Sequence, residues 1–197
     1  PTTSRFTVQP GTEQIAVLGA TPGETLHAIG PYGTDAGAIT VDTQGSTLWR
    51  NLTAGDGWHI TASDGQSPSV KVANRDDVPP ADLYTSQTLL PAGGFGYITT
   101  RDGTTLSANV VLPGPADKGP YPTVVEYSGY QPSDPDSAQL AAIYTAQGFA
   151  YVGVNMRGTG CSGGSYRFFE EVQSLDGYDV IEAVAAQPWV KFHTVGM

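Results

Sequence analysis

The chain has 197 residues, 39% of them apolar and only 14% charged, with 25 glycines and 15 prolines. That is enough apolar content for a packed core, and the texture is loop-rich rather than disordered. The formal charge is −10 and there is no Lys/Arg cluster, so nucleic acid and anionic membrane surfaces are poor partners, and no stretch approaches the ~18 consecutive apolar residues of a membrane-spanning helix.

Residues 1–75 read as short strands separated by turns. "EQIAVLGA", "ETLHAIG", "GAITVD", "STLWRNL", "GWHITA" and "SVKVAN" alternate or are β-branched. "TPGE", "PYGTDAG", "DTQG", "AGDG" and "SDGQSP" punctuate them. This rhythm predicts a small antiparallel sandwich, Ig-like in broad architecture, with Trp49 and Trp58 in its core. Asn51-Leu52-Thr53 is a glycosylation triplet of a kind that arises easily by chance. Residues 76–95 then read as a linker and extended lead-in, charged and proline-rich in "NRDDVPPADLY".

From residue 96 the period changes. "GYITTRDGTTLSANVVLP" (96–113) is two β-rich runs around Asp102-Gly103, a hairpin signal. "YPTVVEYSGY" (121–130) holds a short apolar strand. "SAQLAAIYTAQG" (137–148) predicts a helix with an apolar stripe at Leu140, Ile143 and Tyr144 and a C-cap at Gly148. "FAYVGVNM" (149–156) reads as a strand buried on both faces. "SLDGYDVIEAVAAQPW" (174–189) predicts a second helix, with Tyr178, Ile181, Val184 and Ala185 on one face and Pro188 ending it. A further strand begins at "TVGM". Strands alternating with helices argue for an α/β unit with a parallel sheet, helices on both faces and right-handed crossovers.

Four of these stretches together resemble one branch of the α/β-hydrolases: "YITTRDGTTLSANVVLPG", "YPTVVEYSGY", "GFAYVGVNMRGTGCSGGSY" and "LDGYDVIEAVAAQPWVKFHTVGM". The branch is the serine hydrolases that include cocaine esterase, α-amino-acid ester hydrolases and X-prolyl dipeptidyl peptidases. The likeness covers residues 84–197, and residues 96–197 then correspond to the first half of the hydrolase domain. Residues 1–75 resemble the small β-domain that precedes the hydrolase in some members. The resemblance implies a nucleophilic Ser on the turn after the fifth strand, with its Asp and His later in the chain. "VGM" matches the start of that strand, so all three are expected beyond Met197.

The same order sets aside the local candidates. His193 precedes the elbow and reads as a loop-surface histidine. Ser162 and Ser165 lie in a glycine-rich loop without the G-x-S-x-G frame. Asp176 and Asp179 read as residues at the start of a helix, favoured there by its dipole. One catalytic group is implied within the chain. In the family a tyrosine hydroxyl after the third strand supplies half the oxyanion hole, eight positions after a Pro, and Pro122 and Tyr130 have that spacing. Tyr127 is the competitor, nearer the strand end. Relatives often carry Asn-Pro or Thr-Pro before this tyrosine, whereas Ser128-Gly129 stands here, which predicts a more flexible loop. In "NMRGTGCSGG" Asn155 replaces the Asp of a common Asp-x-Arg-Gly, and Arg157 is expected to tie the loop down with its fork of donors. A phosphate cradle is the rival reading of those glycines, but neither phosphate-loop frame is present.

Cys161 is the sole cysteine, so no intrachain disulfide is expected, and it reads as a small buried or half-buried filler. His27, His59 and His193 lack ligand spacing, so neither metal nor cofactor is expected. The first residue is Pro1, which fits removal of a signal peptide and a secreted or envelope-associated protein. The leading expectation is the N-terminal part of a serine hydrolase cleaving an ester or amide. Its partners would be the C-terminal remainder of the hydrolase and a small-molecule or peptide acyl substrate. An Xaa-Pro dipeptidyl peptidase is the second reading. A non-catalytic surface protein, with Tyr32, Trp49 and Trp58 as a sugar platform, is the third. The fifth strand would lie beside "PTVVEY", so residues 1–197 alone are expected to leave an open sheet edge and to be unstable and inactive by themselves.

Overall fold

Period-two alternation decides the first unit. The computed structural model describes residues 5–89, 94–136 and 139–197, and the chain divides into Pro1–Asp77 and Val78–Met197. In the first unit the strands are β1 (Thr7–Gly11), β2 (Gln14–Leu18), β3 (Thr25–Ile29), β4 (Asp35–Thr40), β5 (Thr47–Arg50), β6 (Gly55–Ala62), β7 (Gly65–Gln66) and β8 (Val70–Val72). They form one sheet in the order β1-β2-β5 and another in the order β4-β3-β6-β7, with β8 also on β6. All named pairings are antiparallel. Ile15, Val17 and Trp49 from the first sheet and Leu26, Ala28, Trp58, Ile60 and Val72 from the second share one core. Strand β1 lies outside every predicted run because Pro10 interrupts it. Proline is tolerated there since β1 is an edge strand and has no second neighbour to serve.

Trp49 and Trp58 are each 3% exposed. Their indole N–H groups donate to the carbonyls of Gly37 and Thr53 at 2.9 and 3.0 Å. Tyr32 is fully exposed. The three aromatics therefore form no common platform; two are core.

The second unit holds α1 (Asp82–Thr85), β9 (Gly94–Thr99), β10 (Thr105–Val111), β11 (Tyr121–Ser128), α2 (Gln139–Ala146), β12 (Ala150–Asn155), α3 (Glu171–Ala185) and β13 (Val190–Gly196). Its five-stranded sheet runs β13-β11-β12-β10-β9. The architecture is mixed α/β. Strands β13, β11 and β12 are parallel, and the β9–β10 hairpin closes the sheet antiparallel on β12. Every residue of β12 is buried, which requires cover on both faces. Val152 and Val154 meet Val180, Ala183 and Val184 of α3 in the core. Tyr151, pointing the other way, stacks on Tyr144 of α2 with ring centroids 6.1 Å apart. The two helices thus lie on opposite faces.

Several expectations shift in register. Helix α2 is described from Gln139; positions 137 and 138 of the predicted helix lie outside the described residues, as do 90–93 of the lead-in. The packing face of α2 is Ala141 with Tyr144, while Leu140 and Ile143 are 45% and 55% exposed. Gly148 does take a left-handed φ of 85° after α2. Helix α3 begins at Glu171, three residues before the predicted start. It buries Gln173, Asp176, Gly177, Asp179, Val180, Ala183 and Val184, so Tyr178 faces solvent. Asp176 and Asp179 are accordingly interior residues and not first-turn caps. Strand β13 starts at Val190, and its pairing jumps from Tyr121↔Val190 to Thr123↔Val195. The intervening residues bulge, with left-handed φ at Phe192 and His193. His193 is exposed on that bulge within the strand, its Nδ1 2.9 Å from the Ala185 carbonyl oxygen.

Residues 82–89, within the stretch read as linker and lead-in, are tied to the second unit. Gln187 accepts the Leu89 N–H at 3.0 Å and donates to the Gln87 carbonyl at 2.9 Å. Gln87 in turn bonds the backbone of Thr99 through both ends of its amide. Among the described residues no helix is long and apolar enough to cross a membrane.

Candidate functional site

Parallel strands bring their carboxyl ends to one edge of a sheet, and loops leaving that edge converge. Here β11 ends at Ser128, β12 at Asn155 and β13 at Gly196. Tyr130 stands two residues past the end of β11 and is 93% exposed. Its N–H donates to Ser128 Oγ at 3.3 Å, and the next residue, Gln131, has a left-handed φ of 60°. Tyr127, the competitor, is committed elsewhere. Its hydroxyl donates to the Gln173 carbonyl at 3.0 Å, and burial pushes its phenol well above the ordinary value. Of the two tyrosines only Tyr130 presents a hydroxyl to solvent at this edge.

The glycine-rich loop after β12 lies against the Tyr130 loop. A Cβ on Gly129 would stand 3.7 Å from Thr159 Cγ2 and 4.0 Å from Tyr166 Cε2. Underneath, Gly153 of β12 lets the Pro132 carbonyl approach so closely that any Cβ would overlap it. Ser162 is structural. Its hydroxyl donates to the Asn155 carbonyl at 2.8 Å and accepts the Ser107 N–H at 2.9 Å. Ser165 is exposed in the same loop. Cys161 is exposed too, contrary to its reading as a buried filler, because it sits on the outer turn of this loop.

Two arginine–aspartate constellations hold the edge from beneath. Arg157, 3% exposed, donates to both carboxylate oxygens of Asp176 at 2.6 and 2.5 Å and to Asp102 at 3.1 Å. One guanidinium therefore clips the glycine-rich loop to helix α3 and to the β9–β10 turn. The predicted fork is present; its partners were not foreseen. Burial pushes the Asp176 carboxyl up, to about 6, against the pull of Arg157, with the Asp102 and Asp179 carboxylates adding to the rise. Burial alone would lower Arg157, but the bonds and charges of Asp176 and Asp102 hold it above its ordinary value. Beside this, Asp179 accepts from the Arg101 N–H at 2.8 Å, from its guanidinium at 2.8 and 3.1 Å, and from the Tyr84 hydroxyl at 2.6 Å. Burial and that carboxylate push the Tyr84 phenol up. A signal for these partners was available. Asp176 is in step with Val180, Ala183 and Gln187 on a 3.6-residue helix, and an aspartate in an apolar stripe needs a cation.

Residues 102–197 match the family model of the X-Pro dipeptidyl-peptidases, family S15. The matched stretch begins at Asp102 in the hairpin turn and so takes in Tyr130, the glycine-rich loop and the Arg157 clip. No curated protein matches the chain. Among solved structures, DcsB in complex with its substrate analogue is similar at 21% identity with a TM-score of 0.40, covering 51% of this chain. The BSP domain of a biofilm-associated protein is similar at 17% identity with a TM-score of 0.28, covering 36%. The chain spans 35% and 14% of the lengths of those two structures.

Proposed function

We propose that the second unit is the first half of the catalytic domain of an S15-type serine hydrolase, an α/β-hydrolase preceded by an Ig-like β-sandwich. The S15 match over residues 102–197 carries the reading, and the exposed Tyr130 hydroxyl at the carboxyl edge of β11 supports it. The nucleophilic serine would stand on the turn following β13, with Asp and His further along. Serine Oγ attacks the acyl carbonyl while His takes its proton. The negative charge that develops on the carbonyl oxygen receives the Tyr130 O–H and a backbone N–H beside the serine. The leaving group departs with the proton from His, and water then hydrolyses the acyl-enzyme.

Fluorophosphonate labelling of the intact protein is expected to modify a serine just past residue 197. A folded intact protein that resists labelling would refute the reading. Replacing Tyr130 with Phe removes one oxyanion donor and is expected to lower kcat by about 10²-fold; an unchanged kcat removes Tyr130 from the site. A dipeptidyl peptidase is the second reading, favoured by the name of the matching family. Comparing an Xaa-Pro anilide with simple acyl esters separates the two.

A further inference from the structure

Asn155 is wholly buried at the carboxyl end of β12, and the direction of each hydrogen bond around it follows from counting protons. Thr159 Oγ1 spends its only proton on the Met156 carbonyl at 2.8 Å, so it accepts from Asn155 Nδ2 at 3.2 Å. Asn155 Oδ1 must then be the acceptor for Ser133, whose N–H lies at 3.0 Å and whose hydroxyl lies at 2.7 Å. With the Ser133 proton committed, Ser107 Oγ is the donor across the 2.8 Å gap between the two hydroxyls. Ser162 has already given its own proton to the Asn155 carbonyl, so nothing in the network competes for the amide.

The consequence falls on Tyr130. Its ring is exposed, so side-chain packing does not aim the hydroxyl; the backbone on either side must. On one side the strand end holds it. Tyr130 N–H donates to Ser128 Oγ, and the Ser128 carbonyl accepts Met156 N–H at 3.0 Å. On the other side Ser133 is pinned by Asn155, and the Pro132 carbonyl is seated in the space left by Gly153. Only Gly129, Tyr130, Gln131 and Pro132 lie between Ser128 and Ser133, spanned by the left-handed turn at Gln131. Through Nδ2 and Thr159 the same amide also fixes the glycine-rich loop that abuts Gly129. We infer that Asn155 is a positioning residue for the Tyr130 hydroxyl, acting through Ser133 and never touching the substrate. This rests on the oxyanion reading of Tyr130 above.

The test is a double-mutant cycle on the complete hydrolase. Asn155→Ala is expected to lower kcat about tenfold while KM changes less than about twofold, and to cost nothing further in the Tyr130→Phe background. Ser133→Ala, which removes one of the two clamps and leaves the backbone N–H, is expected to lower kcat about threefold with the same dependence on Tyr130. It serves where Asn155→Ala fails to fold. Equal losses with and without the Tyr130 hydroxyl would overturn the inference while leaving the oxyanion reading intact. A neutral Tyr130→Phe would sink both. Amide exchange gives a readout independent of turnover: the Ser133 N–H is expected to lose protection in Asn155→Ala, and retained protection overturns the clamp.

Discussion

The two units manage their charges in opposite ways. In the first, the arginines stand in water: Arg5, with Glu24 and Asp64, is 51% exposed, and Arg75, with Glu13, is 40% exposed. Its interior is apolar, tryptophan and branched aliphatics between two sheets. In the second, Arg157 and Arg101 are 3% and 11% exposed and meet buried carboxylates. Exposed pairs are worth little, whereas a buried charge is costly unless every partner is in place. The difference teaches where geometry is being held. Strand pairing and apolar packing suffice for a sandwich, but the second unit must keep several long loops in register at one edge of its sheet. A guanidinium with five fixed donors can join three separate backbone segments, and Arg157 does so.

Removing the charge at each kind of site should therefore break the symmetry most. Arg157→Ala leaves Asp102 and Asp176 buried without their cation, and it is expected to cost about 3–5 kcal/mol. Denaturation followed by amide exchange should show the loss in the second unit only, with protection in the first unchanged. Apolar truncations should show no such contrast. Ile60→Ala and Leu106→Ala, each at a fully buried position in its own unit, are expected to cost about 2–5 kcal/mol apiece in the unit that holds them.

Acid should separate the units by sign. The raised pKa of Asp176 means the folded state binds that proton more tightly than the unfolded chain does. Its contribution to stability is full below about pH 4 and is lost as pH rises through about 6. Glu13 is the reverse: its hydrogen bond to Arg75 holds its carboxyl below the ordinary value. Its contribution is present above the usual carboxylate range and is lost as pH falls through the lowered value. Comparing stability against pH for the native chain, Asp176→Asn and Glu13→Gln should yield difference curves of opposite slope; slopes of one sign would refute the assignment. Smallest of all, Arg75→Ala is expected to cost no more than about 1 kcal/mol, because Arg75 stands 40% exposed and water screens the pair.

Much of the fold was legible in the residues because hydrophobic period reports what faces a core. β12 reads as a fully buried strand and is one, and the turn at Asp102-Gly103 lies between β9 and β10 as expected. The helix faces were less legible. The stripes assigned to α2 and α3 followed apolar residues, yet α2 packs through Ala141 and Tyr144, and α3 turns Asp176 and Asp179 inward while Tyr178 faces out. Hydropathy cannot see a buried carboxylate whose arginine lies 19 or 78 residues away. The candidate site divides likewise. Tyr130 is implied by the family resemblance, whose tyrosine lies eight positions after a Pro as Tyr130 does after Pro122, whereas the clamp around Asn155 and Ser133 depends on two loops meeting.

By itself the sequence determined the β-rich first region, the alternation of strands and helices after residue 96 and the turn at Asp102-Gly103, since these rest on local pattern. Tertiary structure alone decided which polar groups became interior: that one arginine would serve two aspartates, that Pro132 would need Gly153, and that Asn155 would hold the segment carrying Tyr130. Those choices compare the cost of desolvating a group with the partners brought to it, and the partners come from distant parts of the chain.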